Sequence, residues 1–503
     1  MKTLWLLGNQ LSLSLSGFRH IHKERDRILL IESRSRATWL PYHQQKLVLV
    51  YSAMRHFRDE LRSYGYHVDY VRTETFEEGL ASHIEQMGTQ ELIVHLPTDW
   101  TMRRLIEKWA QRSNNESTQL TLLEEDDLFL VRRDEWPQLL GKHPWKMERV
   151  YRKLRLSLDV LMEAGEPVGG RWNYDAENRS KAQPGRQFVP ARSFPPDAMT
   201  QEVMDFVKME YAHHPGKTES FAWPVTREQA LEVLDHFIIH RLADFGEQQD
   251  AMLVGEPFMS HSLLSGAINL GLLQPMEVIR RAEQAYRDGV APIEAVEGFV
   301  RQILGWREYI RGVYICAGPD YSKSNVFRYE RPLPALYWGE DTRMNCLRTV
   351  VKEVIDNGYS HHIQRLMVLG NFALLAGIRP QEVVDWFEAM YVDAYEWVVT
   401  PNVIGMAIHA DGGLMATKPY VASANYMKRM SNYCQGCAYS PDQRVGENAC
   451  PFNSLYWSFI DRHYDMLRAN PRMQMICASW SKMPEQDKNA ILKRAEEVLR
   501  HSL

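Results

Sequence analysis

The chain has 503 residues, more than one hydrophobic core organises, so two or three domains are expected. Its 45% hydrophobic and 24% charged residues exclude a disordered chain, and no apolar run approaches the ~20 residues that cross a bilayer, which leaves a soluble protein with no membrane partner. A formal net charge of −5 excludes a uniformly basic nucleic-acid coat, while six scattered cysteines behind an N-terminus without a signal-peptide pattern exclude a disulfide framework and point to a reducing cytoplasm.

Residues 1–130 read as alternating strand and helix. TLWLLGNQL, RILLIES, YHVDYVR and ELIVHLP are strand-like, and Leu47, Tyr51, Met54, Phe57 and Leu61 recur at helical spacing between the second and third. The pattern predicts a Rossmann-like α/β domain with a parallel sheet. Ligands of such sheets sit beyond the carboxyl ends of the strands, so Gly8, Asn9, Gln10 and the loop after Glu32 are placed to hold a small molecule. No glycine-rich phosphate fingerprint accompanies them.

Residues 131–225 are irregular and rich in Gly, Pro, Asn and Arg, which predicts a long connection with a helix inside it. That helix, KHPWKMERVYRKLR, sets six Lys and Arg against the single acid Glu148, with Trp145 and Tyr151 interleaved. It reads either as a solvated helix face or as a surface for phosphates. Residues 226–503 show helical periodicity and predict a large all-α domain.

Four stretches of this domain carry chemistry. FMSHSLLSGAINLGLL places hydroxyl residues ahead of an apolar helix, where free N–H groups favour an anion. RQILGWREYIRGVY sets Trp306 beside Arg307. GYSHHIQR places His361 next to His362; neighbouring side chains on a helix point about 100° apart, so one can face a cavity while the other supports it. NYCQGCAYSPDQRVGENACP spaces Cys434, Cys437 and Cys450 as C-x2-C-x12-C, a pattern that zinc or an iron–sulfur cluster would satisfy given a fourth ligand.

In this order, SHSLLSGAINLGLL, RQILGWREY, GYSHHIQR and DWFEAMYVDAYEWV resemble the photolyase/cryptochrome flavoproteins over nearly the whole chain, and the adjacent histidines resemble those of the (6-4) photolyases. The resemblance implies FAD, with Ser262, Leu263, Leu264 and Ser265 cradling its diphosphate, Arg307 in the flavin pocket, and an Arg365–Asp393 ion pair beside the ring. Within the bacterial iron–sulfur group it implies a 4Fe-4S cluster on Cys346, Cys434, Cys437 and Cys450, leaving Cys316 and Cys477 as ordinary thiols. It also implies an electron route through Trp386 and Trp338, with Phe387 where relatives often carry Tyr. The usual terminal Trp is missing from PNVIGMAIHA, and RQILGWREY has one residue more than the common motif.

At the antenna the resemblance implies 6,7-dimethyl-8-ribityllumazine, held by Gly8, Asn9, Gln10 and Glu32, although Asn9 stands where the group usually has Asp. The implied partner is UV-damaged DNA, gripped by Lys146, Arg149, Lys153, Arg171 and Arg179, with Trp306 facing the lesion and the enzyme acting as a monomer. The implied reaction is light-driven reversal of (6-4) photoproducts, with His361 as proton donor, His362 orienting it, and Asp250 and Tyr420 lining the pocket. A cryptochrome-type blue-light receptor with the same cofactors is the alternative, and a cluster-dependent nucleic-acid binder a more distant one.

Overall fold

The computed structural model describes residues 1–113, 118–181 and 183–501. Strands β1 (Lys2–Leu6), β2 (Arg27–Ser33), β3 (His67–Thr73), β4 (Glu91–His95) and β5 (Gln119–Leu123) pair in parallel, in the order β3-β2-β1-β4-β5. Alternation along β1 and into the residue after it sends Leu4 and Leu6 into the large core and Trp5 and Leu7 into a second core on the other face. Both faces are covered, as an all-parallel sheet requires.

The helix Gln44–Ser63 buries Leu47, Tyr51, Met54, Phe57 and Leu61, the side chains its periodicity marks. It also buries Gln45, Lys46 and Arg55, which helical period alone does not foretell. The reason is tertiary: this helix is wedged against the helical domain, and Lys46 Nζ donates to the carbonyls of Glu388 (2.6 Å) and Ala394 (2.7 Å). Arg311 of the helical domain reciprocates, with Nη2 2.9 Å from Asp126. One continuous apolar core crosses the junction.

Between the two domains lie the expected helix Met147–Leu158 and a further helix, Ala198–Glu210, capped by the Asp197 carboxylate accepting from Thr200 N. From Arg227 onward the regular elements are helical. Three stretches, Arg301–Arg307, Gln364–Gly370 and Asn402–Ala407, follow the wider i→i+5 turn that absorbs one additional residue and recurs at functional sites. The first is the segment that carries the extra residue. There Ile303 is buried and Gln302 folds back onto the Gly298 carbonyl at 3.0 Å.

Candidate functional site

Arg365, on the widened turn Gln364–Gly370, donates through both Nη atoms to the two oxygens of Asp393, at 3.0 and 3.1 Å. Its Nε donates to the Ser360 carbonyl at 2.7 Å, and its guanidinium lies 4.0 Å from the Tyr391 ring centroid. Burial works to raise the Asp393 carboxyl, but Arg365 outweighs it and holds the group below the usual carboxylate range. Ser265 Oγ donates to the same carboxylate at 2.6 Å, which ties the SHSLLS segment to the clamp. Within that segment Leu263 is held at φ +60°, a left-handed conformation that a leucine adopts at the expense of about 1–2 kcal/mol. The helix after it is short, Ser265–Leu270.

The histidines stand against this clamp, in the reverse of the expected arrangement. His361, expected to face a lesion, is 1% exposed and stacks face to face on His261, with centroids 4.5 Å apart and planes 12° apart. His362, expected behind it, is the accessible member. His361 lies just before the helix that His362 opens, so it is the path of the chain there, not a helical step between neighbours, that covers one ring and leaves the other open. Burial, then His261, His362 and Arg365, push His361 well below its ordinary range; burial and Arg365 bring His362 to about 4. Both ring nitrogens of His361 lack a hydrogen-bond partner among the described residues.

His261 Nε2, Arg241 Nε and both amide atoms of Gln248 are likewise buried without partners. Burial, then Arg241, His362 and Arg365, lower His261 to about 3, which leaves its ring neutral, and Arg241 is paired with no acid among the described residues. Such a site suits an anionic, hydrogen-bonding occupant. A flavin dinucleotide, with its diphosphate and polar ring edge, fits that description.

Arg307 does not join this cluster. It is packed between the Phe129 and Trp397 rings, and donates to Glu308 Oε1 at 2.9 Å and to the Leu128 carbonyl at 3.0 Å, so it braces the domain junction. Its neighbour Trp306 is half-buried against Tyr309. Asp250 and Tyr420 come close to a common pair of charges, Asp175 and Arg179. Burial raises the Asp250 carboxyl to about 6, with Arg179 opposing and Asp175 reinforcing the rise; burial also raises Tyr420.

Trp386 is 1% exposed and donates from Nε1 to the Tyr337 carbonyl at 3.0 Å, next in sequence to Trp338, which is 45% exposed. On its other side Trp386 meets Tyr391, at 5.9 Å, and Tyr391 underlies Arg365. Trp386 and Tyr391 thus lead to the clamp, and Trp338 adjoins them through the backbone of Tyr337. Phe387 stacks on Tyr391 at 5.3 Å with planes 8° apart.

A second cavity opens where the doubly wound sheet reverses its order, beyond β1 and β4, as the topology requires. Gly8 and Asn9 line it, together with Arg36, Lys46, Asp99 and Tyr395. Tyr395 Oη is buried without a partner. Burial, opposed by Glu388 and aided by Arg36, lowers Lys46 to about 7. Gln10 and Glu32 stand apart from the lining. Gln10 accepts from Leu7 N at 3.1 Å, and Glu32 is spent on Arg55 (2.9 Å), Arg72 (3.3 Å) and Tyr70, a buried ion pair that fixes β2 to its neighbours. Lys46, Asp99 and Tyr395 were invisible to motif reading because they are distant in sequence; a buried lysine in an apolar helix face was the one available signal.

Cys346, Cys434, Cys437 and Cys450 surround a third, small cavity with Met344, Met427, Tyr433 and Tyr439. Burial, with the neighbouring thiols reinforcing it, raises Cys434 to about 11 and Cys346 well above its ordinary range, and burial brings Cys450 to about 12. Four thiols crowded into an apolar pocket fit a group that binds them as thiolates and supplies the positive charge. Among the described residues no three His, Cys, Asp or Glu side chains converge tightly enough to hold a single metal ion. Cys477 is buried and Cys316 partly so, both outside this group.

On the linker helix Lys146, Arg149 and Lys153 share an exposed stripe. Arg155 instead is fully buried and donates to the Val160 and Trp172 carbonyls, so this cation of the basic run is structural. Arg171 is paired with Glu177 at 2.6 Å and Arg179 with Asp175, which leaves both exposed but already neutralised.

The family described as "Deoxyribodipyrimidine photo-lyase-related protein" matches residues 4–223. A relative from Agrobacterium fabrum, named a (6-4) photolyase, is 44% identical over 98% of this chain and 98% of its own. Among solved structures, a bacterial class III photolyase from Agrobacterium tumefaciens aligns over 98% of this chain and 91% of its own, with TM-score 0.58 and 16% identity. An archaeal photolyase from Sulfolobus tokodaii, solved with two FAD molecules, aligns over 99% of this chain and 100% of its own, with TM-score 0.58 and 14% identity.

Proposed function

The chain belongs to the photolyase/cryptochrome family, in the group of the Agrobacterium (6-4) photolyase, and from that premise we propose that it is a DNA repair enzyme that uses blue light to return (6-4) pyrimidine–pyrimidone photoproducts to intact bases. The observation that carries the reading is the histidine pair set beside the Arg365–Asp393 clamp in a site of unanswered donors.

FAD held there in its fully reduced state would supply, on illumination, the electron that opens the lesion. The chain's own residues do the rest. Ser262, Leu263, Leu264 and Ser265 hold the diphosphate side of the cleft, and Arg365, fixed by Asp393, flanks the ring. A lesion is flipped out of the duplex, a step made easy by its poor stacking, and enters the pocket lined by Trp306, Asp250 and Tyr420. His362, the accessible member of the pair, takes up a proton when the lesion's phosphates and the reduced flavin bring anionic charge beside it, and passes that proton to the lesion to trap the electron there; His361, stacked on His261, fixes its orientation. The exposed stripe of Lys146, Arg149 and Lys153 contacts phosphates, with Arg171 and Arg179 joining when their acid partners are displaced. Trp338 and Trp386 form the outer and inner steps of the route that restores the reduced state. The four cysteines hold a 4Fe-4S cluster, and the cavity of Gly8, Asn9, Lys46 and Tyr395 takes 6,7-dimethyl-8-ribityllumazine. The enzyme works as a cytoplasmic monomer; among the described residues no helix is long and apolar enough to cross a membrane.

The test is repair of an oligonucleotide carrying one (6-4) photoproduct, under blue light and in the dark, beside one carrying a cyclobutane dimer. Light-dependent loss of the (6-4) product alone is expected. A light-induced spectral change with both lesions intact would return the photoreceptor reading. His362→Ala should abolish repair with FAD still bound, and His361→Ala should reduce it less; the opposite order would restore the sequence assignment.

A further inference from the structure

We infer that Gln364 and Tyr433 form a hydrogen-bonded bridge joining the cysteine-lined cavity to the histidine pair, so that the group held by the cysteines sets the position of the proton donor. The inference rests on the cluster assignment above, and it names a task for that cluster at the repair site.

The bridge starts at Tyr433, which is 1% exposed and lines the cavity with the four cysteines. Its backbone is anchored to the same place, for the Tyr433 carbonyl accepts from Asn345 Nδ2 at 2.9 Å, one residue before Cys346. Its phenol oxygen accepts from Gln364 Nε2 at 2.8 Å. The second hydrogen of that amide goes to Glu353 Oε2 at 2.6 Å, and its carbonyl accepts from the His361 backbone N–H at 3.0 Å. Gln364 is itself fully buried.

The direction of every bond follows from one fact. A backbone N–H can only donate, so the amide oxygen must face His361 and the NH2 must face Tyr433 and Glu353; turning the amide over would set donor against donor. The Tyr433 oxygen is therefore an acceptor from Gln364, and its own hydrogen has no acceptor among the described residues. A buried hydroxyl hydrogen left without an acceptor costs about 1–3 kcal/mol. The cavity beside it is where sulfur atoms of a cluster would lie, and sulfur accepts such hydrogens, which tunes reduction potential.

Gln364 in turn opens the widened turn Gln364–Gly370 and holds the N–H of the residue on which the pair begins. A side chain fixed at both ends transmits a displacement at either. Gln364 and Tyr433 are thus positioning residues; neither touches the lesion or the flavin clamp.

The experiment uses the holoenzyme in the dark without DNA, so that its result is independent of repair. Iron content, an EPR-monitored reduction potential and the 15N signals of His361 and His362 are measured in the parent, Tyr433→Phe, Gln364→Met and Gln364→Glu. Tyr433→Phe should retain iron, shift the potential to more negative values because a hydrogen bond to sulfur is lost, and displace the histidine signals. Gln364→Met should displace the histidine signals and also move the potential, although it is not a cluster ligand. Gln364→Glu keeps the acceptor for His361 N–H and loses both donors, so the potential should move while the histidine signals change less; it remains informative where Gln364→Met fails to fold. Unchanged potential in both Gln364 variants, or unchanged histidine signals in Tyr433→Phe, overturns the bridge. A parent protein holding zinc instead of iron overturns the cluster assignment itself, a result the iron measurement separates from the first two.

Discussion

At the residue scale the chemistry turns on which way single side chains face. The Arg365–Asp393 pair was implied only by the family resemblance, since nothing in the spacing of two residues 28 apart announces it; the structure joins them through two hydrogen bonds. The orientation of His361 and His362 was not legible, because the helix starts between them, at His362, and packing of His361 against His261 decides which ring is covered. Glu32 shows the same limit: a carboxylate at a strand end looks like a ligand until Arg55 and Arg72 are seen to claim it. Asp250 offers a test by pH. Burial raises its folded-state carboxyl to about 6 from an ordinary value near 4, so the folded protein holds this proton more tightly than the unfolded chain does. The stability it contributes is complete below the unfolded pKa and is lost as pH rises through 6. Asp250→Asn removes the ionisation, so its melting temperature relative to the parent should rise between pH 4 and 7 and level off above; a constant difference across that range would show that the carboxyl is not titrating as assigned.

At the element scale the period of apolar residues identified four of the five strands of the parallel sheet and the long helix, because burial of one face is written directly into spacing, but it missed the edge strand β5. It could not show the widened turn at Arg301–Arg307, although the extra residue in RQILGWREY was its trace: a helix can keep its flanks in register around an insertion only by bulging. Close helix contacts were equally hidden. Gly246, on the helix Leu242–Gln248, approaches the helix Ile293–Val300 so closely that a Cβ placed there would lie 2.7 Å from Ala295 Cα. Backbone cannot yield as a flexible side chain would, so Gly246→Ala should lower stability by about 1–3 kcal/mol, read as a reduced denaturation midpoint. The aromatic run has an element-level consequence too. Trp386 is fixed by its bond to the Tyr337 carbonyl at the end of a short turn whose next residue, Trp338, reaches the surface. Trp386→Phe should stop photoreduction of the flavin by external donors while repair by chemically reduced enzyme continues; normal photoreduction in that variant would move the route elsewhere.

At the scale of the whole molecule, the domain order was readable from the change of period along the chain, but the sites formed between domains were not. The sheet-edge cavity is closed by Tyr395 from the helical domain, and Lys46 of the first domain is held by carbonyls of the second, so each domain completes a site that the other begins. The cysteines perform the same joining near the C-terminus. Cys346 sits on the helix Asn345–Asn357, and Cys434, Cys437 and Cys450 lie in the segment that leads into the helix Pro451–Arg462. Between Met430 and Pro451 no helix or strand supplies a backbone scaffold, and a bond to metal can supply what the chain there lacks. The bound cluster should therefore decide whether this segment folds against the helix that leads to the histidine pair. Replacing any one of the four cysteines with alanine should yield protein that is poorly soluble or retains little flavin. Cys316→Ala and Cys477→Ala should remain folded at a loss of about 1 kcal/mol, the scale of a small cavity. Freshly isolated, oxygen-protected protein should carry about four irons and about four acid-labile sulfides per chain, as that cluster type requires. Stoichiometric zinc without iron would overturn the cluster, yet would leave the Arg365–Asp393 clamp and the histidine assignment standing, because those rest on different residues and are tested by different measurements.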